Sequence, residues 1–164
     1  MNIEIVPVCE KHKSVLRQLI ELYCYDFSEY THDEVDEHGF YGYSYLDHYW
    51  TDETRHPFFI KVNGNYAGFV LVSNRCRYIT NEKAHTISEF FIMRRYRRQN
   101  VGDFAAKYIF DLFKGDWEVR VLDVNKPAHP FWNKVINGYT NGEHIFHSEP
   151  TPDWDGFGYS FKSI

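Results

Sequence analysis

The chain has 164 residues, 19% of them aromatic, with 18 Lys and Arg against 23 Asp and Glu, giving a formal net charge of −5. That length supports one domain with a sizeable core and is short for two, and the acidic balance argues against a general nucleic-acid binder. No apolar run approaches bilayer-spanning length, the first residues lack a basic and apolar leader, and Cys9, Cys24 and Cys76 are scattered without a Cys-x-x-Cys pair. The expectation is a cytoplasmic protein, one domain over residues 1–164, with reduced thiols and neither a membrane nor a nucleic-acid partner.

Ile3 to Val8 predicts a first strand, at or near an edge because Pro7 has no N–H for a ladder. Lys11 to Tyr30 predicts an amphipathic helix, with Val15, Leu16, Leu19, Ile20, Tyr23 and Phe27 on one side. The next stretch, Ser28 to Glu53, holds eight acids (Glu29, Asp33, Glu34, Asp36, Glu37, Asp47, Asp52, Glu53) and no lysine or arginine. It is also rich in tyrosine, with Gly39 and Gly42 as breakers and a short helix expected over Tyr45 to Trp50. Phe58 to Val62 and Tyr66 to Val72 are strands joined at Asn63-Gly64-Asn65, where Asn-Gly accepts the positive φ of a tight hairpin. After a polar connection, Asn74 to Lys83, comes a strand over His85 to Met93.

The next helix, Val101 to Phe113, carries one apolar stripe through Val101, Phe104, Ala105, Tyr108, Ile109 and Leu112, and ends at Lys114-Gly115-Asp116. Trp117 to Val124 is a strand, and Pro127 to Ile136 a short helix with Asn125 as N-cap and Pro127 in its first turn. Two strands close the chain, His144 to Ser148 and Phe157 to Phe161, with Pro150, Pro152 and Asp155-Gly156 between them. This order predicts an α/β (α+β) fold, a single mixed, mostly antiparallel sheet with helices on both faces.

Two stretches carry chemistry. Between the strand ending at Met93 and the helix starting at Val101 lie Arg94, Arg95, Arg97 and Arg98. A helix start offers free N–H groups and partial positive charge, so the ligand expected there is a phosphorylated molecule. Asp103 in the first turn competes with that ligand for the same N–H groups. On the preceding strand Glu89 is the only acid, and alternation puts it on the face of Ile87, Phe91 and Met93, where partial desolvation raises a carboxyl pKa. No metal site is expected, since His144 and His147 fall on opposite faces of a strand. An aromatic stretch with eight acids and no base has the character of a site for a cation.

Arg97-Arg98-Gln99-Asn100-Val101-Gly102 resembles the pyrophosphate loop, Arg/Gln-x-x-Gly-x-Gly/Ala, of the GNAT N-acetyltransferase superfamily. Asn100 stands where that family usually has its first glycine, and Asn tolerates positive φ better than other side chains. The following strand, then Asn125-Lys-Pro-Ala128 and Phe131-Trp132, continue the resemblance for about fifty residues, and the element order extends it over the chain. The resemblance implies central strands that splay apart around acetyl-CoA, the acetyl donor, with transfer to a small-molecule or peptide amine and no metal. By the same resemblance Arg97, Arg98, Gln99, Asn100, Val101, Gly102 and Asp103 cradle phosphate, and the backbone of Phe91, Ile92 and Met93 pairs with the pantetheine arm. Asn125, Phe131 and Trp132 lie near the thiol end, and Glu89 is the base. The family often has Tyr at the position of Trp132 as acid for the leaving thiolate; indole cannot serve, so Tyr139 or Tyr108 would stand in, or water. A cationic acceptor is expected over neutral or acidic amino acids, a CoA-binding domain without turnover is the alternative, and a homodimer is left open.

Overall fold

The computed structural model of the chain describes residues 1–149 and 151–164; Pro150, expected in the connection before the last strand, lies outside the described residues. Seven strands, β1 (Ile3–Pro7), β2 (His56–Val62), β3 (Asn65–Ser73), β4 (His85–Ile92), β5 (Gly115–Leu122), β6 (Ile145–His147) and β7 (Gly156–Ser163), form one sheet in the order β1-β2-β3-β4-β5-β7-β6. Three helices, α1 (Lys13–Thr31), α2 (Val101–Leu112) and α3 (Ala128–Thr140), cover it. All neighbouring strands run antiparallel except β4 and β5. The strand with Pro7 is an edge, and Asn63 and Gly64 close the β2–β3 hairpin with φ of 50° and 79°.

The core divides at the sheet. On one face α1 sets Leu16, Leu19 and Ile20 against Phe59, Phe69, Leu71 and Phe91. On the other, Ala105, Ile109 and Phe110 of α2 and Val135 and Ile136 of α3 meet Ile60, Val70, Val72, Trp117 and Val119. The expected short helix after α1 is a 3-10 turn over Leu46–Trp50, which buries Leu46 and Tyr49. The last helix differs from expectation at both ends. It starts at Ala128, with Pro127 before it and no side-chain cap, and runs past Gly138 to stop at Asn141, φ 53°. Asn125 contributes a turn by backbone instead, accepting from Ala128 N–H at 3.1 Å.

Two irregularities in β4 shape the site. Leu71 pairs with Glu89 but Val72 pairs with Ile87, so Ser88 is an extra residue, a β-bulge. Alternation breaks there: Ile87 joins the α2–α3 core, while Phe91 and Met93 pack toward α1. The expectation that Glu89 shares a face with Ile87 is thereby corrected, because period two holds only within an unbroken ladder. The second irregularity is the parallel neighbour. β4 and β5 are in register only at His85–Trp117 and Thr86–Glu118, and beyond those pairs the strands part into a V.

Candidate active site

Glu89 lies just past the bulge, where β4 has left β5, and its side chain points to the α1 face. Tyr23 of α1 donates its hydroxyl to Glu89 Oε2 at 2.5 Å, and Tyr43, from the loop after α1, donates to Oε1 at 3.3 Å. Tyr23 also packs on Phe69 and Phe91, so an aromatic wall removes water from the carboxylate while part of it stays open. Burial raises the Glu89 pKa from its ordinary 4.5 to about 7, against the two phenol hydrogen bonds and the charge of Arg120, which pull it down. The phenols shift the other way: burial and the neighbouring carboxylate push Tyr23 and Tyr43 well above the usual range. Arg120 itself is on β5, donating to the fully buried Glu118 at 2.9 Å.

The loop that delivers Tyr43 is held by a residue outside it. Glu21 of α1 accepts the N–H groups of Tyr41 and Gly42 at 2.9 and 2.8 Å. Beneath the loop lies a cavity of about 300 Å³ bounded by Ile20, Phe40, Tyr43, Arg17, Glu21 and Asp47. Beside it Tyr49 Oη is buried without a well-formed hydrogen bond, although Tyr43 and Ser88 are its polar neighbours. The eight acids divide. Asp47 pairs with Lys13, Asp52 with Arg55 and Arg75, and Asp36 accepts the N–H groups of His38 and Phe40 in its own turn. Glu29, Asp33, Glu34, Glu37 and Glu53 remain exposed without a lysine or arginine partner among the described residues.

The arginine turn follows β4. Arg98 and Asn100 both take left-handed backbone, φ 60° and 66°, which costs roughly 1–2 kcal/mol for a non-glycine residue and less for Asn. Among the described residues no side chain caps α2, and the N–H groups of its first turn have no acceptor. Asp103, expected to compete for them, turns to Lys107 at 3.0 Å instead. Gln99 braces the turn by donating to the Arg95 carbonyl at 2.7 Å. Gly102 has a reason the sequence did not disclose: a Cβ there would stand 3.0 Å from the Phe131 ring, so the glycine lets α2 lie against α3. Arg97 and Arg94 spend their guanidinium groups on Asp26 of α1.

Along the arm of the V, backbone direction corrects the expected contacts. Met93 N–H donates to Ala67 C=O at 2.8 Å. By antiparallel alternation Phe91 also bonds to β3, and Phe90 and Ile92 turn their amides outward toward the gap. Of Phe91, Ile92 and Met93, only Ile92 thus presents its N–H there, and Phe90 joins it. The Phe90 ring meets Trp132 at 5.1 Å and Phe131 at 5.8 Å, so the expected aromatic pair does reach β4. Asn125 sits just beyond the end of β5, its N–H on the Leu122 carbonyl at 3.0 Å and its side chain unbonded among the described residues. Tyr139 is not brought to this place. Its hydroxyl bonds Asp111 at 2.8 Å and Ser163 at 2.7 Å, and Ser163 pairs with Gly115 at the start of β5, behind the closed end of the V.

The parting central strands and the arginine turn before α2 agree with the resemblance seen in the sequence, and the sequence model of the acetyltransferase (GNAT) family matches residues 16–137. The chain belongs to the GNAT family. Solved GNAT-like structures superpose over nearly all of it. An acetyltransferase of the GNAT family from Staphylococcus aureus Mu50 is 14% identical with a TM-score of 0.66, covering 99% of this chain and 100% of its own. An acetyltransferase from Thermus thermophilus is 13% identical with a TM-score of 0.73, over 99% and 97%. The aminoglycoside acetyltransferase AAC(6')-Ib, in complex with coenzyme A, is 11% identical with a TM-score of 0.71, over 98% and 95%. No curated protein sequence matches significantly. Among the described residues no helix is long and apolar enough to cross a membrane.

Sequence reasoning on this GNAT chain missed Tyr23, Tyr43, Glu21, Phe90 and Arg120. Tyr23 was visible only as part of an apolar stripe. The alternation of outward amides was readable in principle, once the partner of Met93 was known. The raised Glu89 pKa carries a consequence for stability. The folded carboxyl holds its proton to a higher pH than the unfolded one, so its contribution is fully present below 4.5 and is lost as pH rises to about 7. His56 and His85, whose pKa values burial lowers, act with the opposite sign in a nearby window, so the difference between proteins is the readout. Urea unfolding of wild type and Glu89→Gln at pH 4.5 and 8 is expected to show the variant gaining on wild type at the higher pH. An unchanged difference would mean that Glu89 titrates as an ordinary carboxyl.

Proposed function

We propose that the protein is an acetyl-CoA-dependent N-acetyltransferase that acetylates a primary amine on a cationic acceptor, with Glu89 as the base. The observation that carries this reading is one partly open carboxyl, poised to about 7, at the bulge where the V opens. An alkylammonium near pKa 10.4 must lose a proton before it attacks, and a base is most effective when its own pKa lies near the working pH. The bound donor supplies the activated acetyl thioester. Glu89 takes the amine proton, directly or through water, while Tyr23 and Tyr43 hold its two oxygens. An outward N–H of β4, at Phe90 or Ile92, polarises the acyl oxygen. The first-turn N–H groups of α2, with Arg98 and Gln99 beside them, hold the phosphates, and Asn125, Phe131 and Trp132 flank the thiol end.

Trp132 supports a second reading, a CoA-binding domain without turnover, because indole gives the leaving thiolate no proton. We leave Tyr139 out of the chemistry on account of its bonds to Asp111 and Ser163; water serves in its place. Release of free thiol across a library of amines separates the readings. Glu89→Gln keeps the shape and removes the base, so kcat is expected to fall by ~10²–10⁴. Wild-type kcat/KM is expected to rise with pH through about 7, and that limb to vanish in the variant. A variant of normal rate, with the limb intact, would leave Glu89 a structural role.

The acceptor class rests on the loop after α1. Exposed Asp33, Glu34 and Glu37, which have no lysine or arginine partner among the described residues, favour a polyamine, an aminoglycoside-like cation or a lysine side chain. AAC(6')-Ib has been solved with kanamycin, but at 10% identity that likeness carries the fold, so the local charge is what supports the class. Surface attraction is screened by salt, so KM for the acceptor is expected to rise with ionic strength at nearly constant kcat. Neutralising Asp33, Glu34 and Glu37 together is expected to reproduce that rise at low salt. Asp36 is left intact, since its carboxylate holds the turn. A best acceptor that proves anionic, or a KM indifferent to both changes, would refute the cationic class.

A further inference from the structure

The turn after β4 gives two of its four arginines to α1. Asp26 Oδ1 accepts Nε and Nη2 of Arg94 at 2.9 and 2.6 Å, and Oδ2 accepts Nη2 of Arg97 at 2.5 Å. Arg97 then places its Nε on the Ile92 carbonyl at 2.7 Å and its guanidinium over the Phe91 ring at 5.8 Å. Ile92 is the last residue of β4 and one of the two whose backbone faces the gap. One carboxylate thus holds two arginines of the turn and, through Arg97, the last carbonyl of the strand before it. Burial opposes ionisation of Asp26, and the paired Arg97 and Arg94 overcome it, holding its pKa below the usual range.

The surroundings show why such a fastening is needed. Arg98 and Asn100 both sit in left-handed backbone within three residues, and the turn from Arg97 to Asn100 is exposed. Tyr96 before it and Val101 after it are set in the apolar core, but none of Arg97 to Asn100 joins that core among the described residues. Gln99 braces it from within, Arg97 bonds back to β4 at Ile92, and Asp26 ties it to α1. One helical turn before Asp26, on the same side of α1, Tyr23 grips Glu89. A single helix therefore fixes β4 at the bulge and at the phosphate turn.

The geometry points to Asp26 as a positioning residue for the coenzyme: by fastening Arg94 and Arg97 to α1 it holds the turn in the shape that presents the α2 N–H groups, Arg95 and Arg98 to phosphate. This rests on the acetyl-CoA reading of the turn. It divides the four arginines by role, two that shape the turn and two that face the ligand.

Calorimetry with acetyl-CoA tests the division. Asp26→Asn is expected to raise Kd by about tenfold, with kcat at saturating acetyl-CoA within about twofold of wild type and the pH limb of Glu89 unmoved. Asp26→Glu, which keeps the charge, is expected to recover part of the affinity. Arg94→Gln with Arg97→Gln is expected to match Asp26→Asn, and adding Asp26→Asn to that pair to cost little more. An unchanged Kd in folded Asp26→Asn overturns the inference. So does a lower Kd, which would mean that the two arginines serve phosphate directly and Asp26 competes with it. If Asp26→Asn does not fold, Arg94→Gln removes one half of the clamp at its exposed end and must raise Kd in the same direction; no rise overturns the inference. A wild-type protein that binds no acetyl-CoA overturns the functional reading as well, whereas wild-type binding with indifferent variants overturns the role of Asp26 alone.

Discussion

Two β-strands that begin as partners and then part leave a backbone edge unpaired in the middle of a sheet. That is the constraint on which the rest of this molecule depends. Buried N–H and C=O groups without partners are costly, so such an edge persists only where the fold holds the strands open and something pairs with the edge in use. Here β4 and β5 share two register pairs and separate. Phe90, Phe131 and Trp132 fill the wedge on the α3 side, α1 and its tyrosines line the other, and the bulge at Ser88 redirects the strand so that Glu89 faces the tyrosines. The helix that follows β4 starts uncapped at the open end. A cofactor that can supply a strand-like edge and phosphates fits these deficits at once.

The high aromatic content acquires a meaning in this setting. Apolar side chains alone would desolvate Glu89 and push its pKa far up, leaving it protonated and useless as a base near neutrality. Phenols supply bulk that excludes water and hydroxyls that stabilise the anion, so the two effects oppose one another on the same carboxyl. Arg120, neutralised in part by buried Glu118, adds from β5 the weakest of the downward pulls. The balance leaves the group close to the pH at which it would have to work.

The sequence disclosed most of what local rules govern. Alternation gave the strands, Asn63-Gly64 the hairpin, Pro7 the edge, and the arginines before an apolar helix an exposed turn with Asn100 in its left-handed conformation. It missed what depends on a distant partner. The bulge is a property of the β3–β4 register, and no residue near Ser88 announces it. Tyr23 and Tyr43 reach Glu89 from 66 and 46 positions away, and Asp26 reaches its arginines from 68 and 71. Gly102, expected by resemblance in the phosphate cradle, proves to be room for Phe131. Tyr139 looked available and is held behind the closed end of the V by Asp111 and Ser163. Residue type marks which groups have chemistry, but only the packing decides which of them meet.

The central claim is that the parting of β4 and β5 gives one carboxyl an environment balanced near neutrality. Carbon-13 NMR of glutamate-labelled protein, titrated from pH 3 to 9 with Glu89→Gln to assign the resonance, reads that environment directly. The account predicts a Glu89 midpoint at about 7, well separated from the exposed glutamates. A midpoint near 4.5 would contradict it.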